Sequence, residues 1–82
     1  MLSIDLKNAF EDPRTDNFTV LLIRLIAKAD STNRKKLAMG YPVVVAAVDI
    51  YKNACPYKDE NHTQVDWDKI AEAAEIGLLE KR

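Results

Sequence analysis

The sequence has few of the residues that most often carry chemistry. Its 82 residues include one cysteine, one histidine and two glycines. A single cysteine, Cys55, excludes an intramolecular disulfide and suits a reducing compartment. Two glycines cannot form a glycine-rich phosphate-binding loop. One cysteine and one histidine also fall short of the four closely spaced ligands of a structural zinc site.

The remaining candidates for catalysis or metal binding lie between residues 55 and 66. Cys55 and His62 are seven positions apart in a predicted loop, and nothing in the pattern brings them within hydrogen-bond reach as a nucleophile and its base. Asp59, Glu60 and Asp66 lack the regular spacing and central glycine of a calcium loop. We therefore predict that the protein is not an enzyme and uses no cofactor and no metal.

The chain also lacks a large net charge of either sign and a recognisable leader. Its formal net charge is −1, so there is no global basic excess to hold nucleic acid and no acidic excess of the kind a DNA mimic carries. Met1 to Phe10 has no apolar core after a basic start, so we expect no signal peptide and a cytoplasmic protein. With 48% apolar and 30% charged residues, the composition predicts one globular domain over residues 1–82.

Apolar residues are abundant in one stretch, Asn17 to Ala29, which only Arg24 and Lys28 interrupt. On a helical period, Asn17, Arg24 and Lys28 share one narrow stripe. A helix that is apolar nearly all round is normally buried, and this one is shorter than the roughly 20 residues that cross a membrane. We predict an all-α fold, a compact bundle of four to five short helices around this central apolar helix.

The first and third helices have weaker signals. Leu2, Leu6 and Phe10 fit one helical face, with Ser3 as a cap, although Leu2, Ile4 and Leu6 also alternate as in a strand. A short basic helix is predicted over Thr32 to Met39. Asp30 or Ser31 would cap its start, and Gly40 would end it in a left-handed conformation.

The last two helices have clearer starts. Pro42 suits the first position of a helix, and although Val43, Val44 and Val45 favour strands, the polar spacing that follows favours a helix ending before Pro56. Asp66 is predicted to cap the final helix, with Val65 and Ile70 placed as a hydrophobic staple.

Amphipathic aromatic residues suggest a protein-binding surface. Tyrosine and tryptophan are enriched at the centres of interfaces because they combine a large apolar body with a polar tip. The valine run after Pro42 adds a further apolar surface at the fourth helix. The predicted partner-binding residues are Tyr41, Val45, Tyr51, Tyr57 and Trp67.

Nucleic-acid binding is the alternative. Two helices joined by a short break, Asn17–Ala29 and Thr32–Met39, loosely suggest a helix-turn-helix with basic side chains facing phosphates. Beyond its cations, the second helix offers only Asn33 to read base edges. The residues that would bind nucleic acid are Arg24, Lys28, Arg34, Lys35 and Lys36.

A series of short motifs lies between Asn17 and Lys52: Asn17-Phe18-Thr19, the Leu22, Leu25 and Ile26 spacing, Lys28-Ala29-Asp30, Asn33, Lys36-Leu37 and Gly40-Tyr41-Pro42. In this series the stretch resembles a group of small accessory proteins encoded by tailed bacteriophages and prophages of Gram-positive bacteria. The resemblance implies a phage-encoded protein in the host cytoplasm and carries no agreed activity with it. In that group acidic residues usually follow the proline, whereas three valines follow it here.

Together these observations predict a small non-enzymatic protein-interaction module. It is expected to be a phage accessory protein or inhibitor that acts on a host or phage protein and can also form homo-oligomers.

Overall fold

The computed structural model describes residues 1–53 and 65–80, with side chains described as far as Gly77, and these residues form an all-α protein. The predicted helical bundle is confirmed. No helix in the described ranges is both long enough and apolar enough to span a membrane. The helices in chain order are α1 (Leu2–Glu11), α2 (Phe18–Lys28), α3 (Ser31–Gly40), α4 (Pro42–Lys52) and α5 (Trp67–Glu80).

Three helices begin at side-chain caps; the sequence predicts Asp66 and gives Asp30 as one of two candidates. The carboxylates of Asp30 and Asp66 and the amide oxygen of Asn17 each accept a hydrogen bond from the backbone N–H three residues later. The distances are 2.9 Å at Asn17, 2.8 Å at Asp30 and 3.1 Å at Asp66. Each bond satisfies a backbone donor that the helix itself leaves without a partner.

α1 is a helix, but the prediction that Ser3 caps it is wrong. Met1 occupies the cap position, and Ser3 lies in the first turn with only 6% of its surface exposed. The alternating pattern of Leu2, Ile4 and Leu6 does not form a strand. Leu6 is fully buried, whereas Ile4 is 55% exposed, which is the helical arrangement of these positions.

The junction between α3 and α4 differs from its prediction. Gly40 is the last residue of α3, and Tyr41 serves both as the C-cap of α3 and as the N-cap of α4, with a φ of −133°. The chain therefore turns here without a left-handed residue. Pro42 opens α4 as predicted, and Val43 to Val45 are helical. α4 ends at Lys52; Pro56, where the sequence predicts its end, lies outside the described residues.

The core is built from four of the five helices, since none of the described α3 side chains is fully buried. Leu37 and Ala38 of α3 pack against the core from its edge. α4 and α5 form the most extensive pair, and α1 packs against both α2 and α5. The buried core residues are Leu6 from α1, Leu22, Ile23 and Ile26 from α2, Val45, Ala47 and Val48 from α4, and Trp67, Ile70 and Ala74 from α5.

The prediction that α2 is covered nearly all round is wrong. One sector of the helix enters the core, and that sector includes Ile23 and Ile26. Phe18, Leu21 and Leu25 lie on the other side and are 69%, 52% and 56% exposed. The helix packs mainly against α1 and α4, which cover only part of its circumference. α2 is therefore apolar on a face that the rest of the described chain leaves in solvent.

Arg24 is the link between α2 and the end of α1. Its Nε donates to the backbone oxygen of Ala9 at 3.1 Å, and its Nη2 donates to those of Asp12 at 2.7 Å and Asn8 at 3.4 Å. The last carbonyls of a helix have no partner within the helix, and they carry the negative end of its dipole. The half-buried guanidinium of Arg24 supplies both hydrogen-bond donors for these carbonyls and a positive charge beside the negative end of the helix dipole.

We expect Arg24→Met to lower the free energy of unfolding by about 1–3 kcal/mol. It removes the Arg24 donor from the carbonyl of Ala9 and leaves those of Asn8 and Asp12 with only their backbone donors, the N–H groups of Asp12 and Thr15. Urea denaturation followed by circular dichroism measures the change. Lys35→Met removes a cation from an exposed position of α3 and is the matched control, with an expected effect below about 0.5 kcal/mol. Equal effects of the two substitutions would show that Arg24 is not a structural link.

Candidate interaction surface

An apolar strip runs along the outer side of α2. Phe18, Leu21 and Leu25 are spaced three and four residues apart, so they lie on one face of the helix. We call these three residues the α2 strip. Single exposed apolar residues are ordinary on protein surfaces, whereas a contiguous apolar patch bordered by polar groups marks a binding surface. The α2 strip places three exposed apolar side chains on one face of an 11-residue helix.

Tyr41 extends the strip at the start of α2. Its ring centroid lies 6.4 Å from that of Phe18, with an angle of 54° between the ring planes. This tilted arrangement is within the range of favourable aromatic pairs. Tyr41 remains 41% exposed, so it is a predicted partner-binding residue that the structure places on an accessible surface beside the strip.

At its other end, the strip meets a shallow groove between α2 and α3. The groove has a volume of about 530 Å³, and Leu25 and Leu37 supply its apolar lining. Lys28, Asn33 and Lys36 supply polar groups around it. An apolar centre with a polar rim is the usual composition of a protein-binding surface.

Val45 and Trp67, two predicted partner-binding residues, belong to the core. Val45 is 5% exposed and Trp67 is 8% exposed, so neither side chain presents an accessible surface to a partner in this structure. The indole Nε1 of Trp67 donates to a carboxylate oxygen of Glu11 at 2.8 Å. The polar tip that makes tryptophan suitable for interfaces is therefore used within the fold, between α5 and α1.

Tyr51 is half-buried in a stack of three aromatic rings. Its ring centroid lies 4.1 Å from that of Phe10 and 5.2 Å from that of Trp67, with nearly parallel planes. The stack joins α1, α4 and α5 at one point. Tyr51 thus has a structural role, and Tyr57, the remaining predicted aromatic, lies outside the described residues.

The five basic residues of the nucleic-acid alternative do not act as one group. Arg24 binds the carbonyls at the end of α1, and the Nη1 of Arg34 lies 3.0 Å from a carboxylate oxygen of Asp49 on α4. Both arginines therefore hold helices together. The side chains that remain exposed are those of Lys28, Lys35 and Lys36.

The turn between α1 and α2 contains a carboxylate with a perturbed pKa. The backbone N–H of Arg14 donates to Asp12 at 3.0 Å and the hydroxyl of Thr15 donates to it at 2.9 Å, and these bonds hold the pKa of Asp12 below its ordinary value of 3.8. The charged form is favoured in the folded protein. Its contribution to stability is thus present at neutral pH and is lost as the pH falls through the lowered pKa.

Among the described residues, no three His, Cys, Asp or Glu side chains form a group that could hold a metal ion. Cys55, His62, Asp59 and Glu60 lie outside these residues. The absence of a catalytic pair and of a metal site therefore stays a prediction from the sequence.

Comparison with protein families, curated proteins and solved structures gives no match to this chain. Sequence reasoning missed all three residues of the α2 strip. One signal in the sequence could have found them. α2 has apolar residues nearly all round, and a chain this short can bury only part of that apolar surface.

The Trp67–Glu11 bond can be measured with a double-mutant cycle. We expect Trp67→Phe and Glu11→Ala to show a coupling energy of about 1 kcal/mol in urea denaturation, because each substitution removes the same hydrogen bond. Glu72→Ala, an exposed glutamate on α5, should combine additively with Trp67→Phe and serves as the control. Additive effects at Glu11 would rule out the bond as a contribution to stability.

Proposed function

We propose that this protein is a small non-enzymatic interaction module that binds a protein partner through the α2 strip. The observation that carries the proposal is the exposure of three large apolar side chains in succession on one helix face. Keeping them in water costs free energy in proportion to their apolar area, roughly 25 cal/mol per Å². A partner that covers the strip recovers this free energy on binding.

The surroundings of the strip support a specific contact. Tyr41 places a hydroxyl at one end, and Lys28 and Lys36 place ammonium groups near the groove at the other. Apolar contacts supply most of the affinity in such an arrangement, while charged groups at the rim set orientation and exclude wrong partners. The strip and its rim thus have the composition of an interface that selects its partner.

The resemblance to phage accessory proteins supports the biological setting of this proposal. It spans Asn17 to Lys52, a range that contains the whole α2 strip and Tyr41. In this setting the protein acts in the host cytoplasm as an accessory protein or inhibitor, on a host or phage protein, with self-association as a further property of the same surface.

Nucleic-acid binding is the alternative function. Its support is the set of exposed lysines, Lys28, Lys35 and Lys36, on neighbouring parts of α2 and α3. Against it, Arg24 and Arg34 are already engaged with groups of the protein itself. Three lysines supply little of the phosphate contact on which nucleic-acid affinity depends.

Site-specific photo-crosslinking tests the interaction proposal. We expect a photoreactive phenylalanine analogue placed at Leu21 to form a covalent adduct with a protein in Gram-positive bacterial cells. Ile76 on α5 is 45% exposed, and the same analogue there is the matched control with little or no adduct. Adducts of equal yield at the two positions, or none at either, would contradict the proposal.

A mobility-shift titration tests the alternative. We expect no shift of DNA or RNA by the protein at about 50 mM salt, where phosphate contacts are strongest. A shift that disappears by about 200 mM salt, and that Lys35→Glu with Lys36→Glu removes, would favour nucleic-acid binding.

A further inference from the structure

The two ends of the α2 strip carry opposite charges. Asp16 precedes the helix and Lys28 is its last residue, and both side chains are exposed. Between them, the outer face of α2 consists of Phe18, Leu21 and Leu25. The strip is therefore an apolar segment about 15 Å long, from Phe18 to Lys28, with an acid before its start and a base at its end.

The α2 strip can pair with the strip of a second copy that runs in the opposite direction, because apolar residues then meet apolar residues and the acid meets the base. If two copies of α2 lie antiparallel, a two-fold axis between Leu21 and Leu22 places Phe18 of each copy opposite Leu25 of the other. The two Leu21 side chains then meet near the axis. Asp16 of each copy lies within one residue of the position opposite Lys28 of the other, so one Asp–Lys ion pair flanks the apolar contact on each side.

We propose that the α2 strip binds the strip of a second copy of this chain, in an antiparallel two-fold dimer. The inference rests on the proposed function and names its partner. A two-fold interface uses the same patch on both subunits, so the patch must match itself under reversal, as this one does. The antiparallel arrangement also sets the two helix dipoles in favourable opposition.

The same charges disfavour a parallel pair. In parallel α2 helices, Lys28 would face Lys28 and Asp16 would face Asp16, and like charges at close range are destabilising. Arg24 adds no like charge to the antiparallel contact, because its guanidinium faces the end of α1. The charge pattern thus selects one of the two orientations that the apolar residues alone would allow.

Analytical ultracentrifugation of the full chain at low ionic strength tests the dimer with a charge reversal. We expect the unchanged protein to be dimeric. Asp16→Lys or Lys28→Asp, taken singly, should raise the dimer dissociation constant by about tenfold, because each creates two like-charge pairs. The double variant should restore the dissociation constant to within about threefold of the unchanged protein. Circular dichroism and urea midpoints show that each variant is folded.

Two results would overturn the dimer: a monomer at millimolar concentration, or a double variant that associates no better than the single ones. Leu21→Glu provides a further check and should yield a monomer, whereas Ile76→Glu should not.

The crosslinking experiment at Leu21 separates this inference from the proposed function. An adduct with a different protein, together with a monomer in the centrifuge, retains the interaction module and refutes the dimer; absence of both refutes both.

Discussion

The structure depends on how much apolar surface a chain of 82 residues can cover. A small domain buries a smaller fraction of its surface than a large one. The helices α1 and α4 cover one sector of α2. Apolar side chains of α4 also pack against α5 in the core. α2 has apolar residues on both sides, and within residues 1–53 and 65–80 it receives neighbours on one. The α2 strip is what this shortage leaves exposed, and the proposed function follows from it.

Polar residues inside apolar segments have structural roles in this protein. Arg24 interrupts the apolar run of α2, and the sequence alone suggests a solvated or phosphate-binding cation. In the fold it supplies the hydrogen bonds that the end of α1 lacks, and Arg34 similarly connects α3 to Asp49 on α4. A cation beside the end of a helix gains both hydrogen bonds and a favourable dipole interaction. Intramolecular use of these two arginines is the main reason that the nucleic-acid alternative is weaker than protein binding.

The aromatic residues show that residue type does not decide between core and interface. Tyr41 and Tyr51 are the same residue type ten positions apart; Tyr41 caps the start of α4 and Tyr51 lies near its end. Tyr51 stacks on Phe10 and Trp67 and closes the core, whereas Tyr41 stays accessible beside Phe18. The difference lies in their neighbours: Tyr51 is next to rings of α1 and α5, whereas Tyr41 is next to a ring of α2 that is itself exposed. An antiparallel pair of α2 strips would use the accessible surface that this packing leaves.

The sequence by itself determined the local features. Asn17, Asp30 and Asp66 start their helices through bonds to residues three positions away, and Pro42 starts α4 through its own fixed backbone angle. Only the tertiary structure decided which side of α2 is covered, where Trp67 and Val45 lie, what Arg24 binds, and that Tyr41 makes the turn without a left-handed glycine. Capping depends on neighbours within a few residues of the chain, so it can be read from the sequence. Burial of a side chain depends on which helices, distant in the sequence, pack against it. The pattern of residues within one helix does not specify those partners.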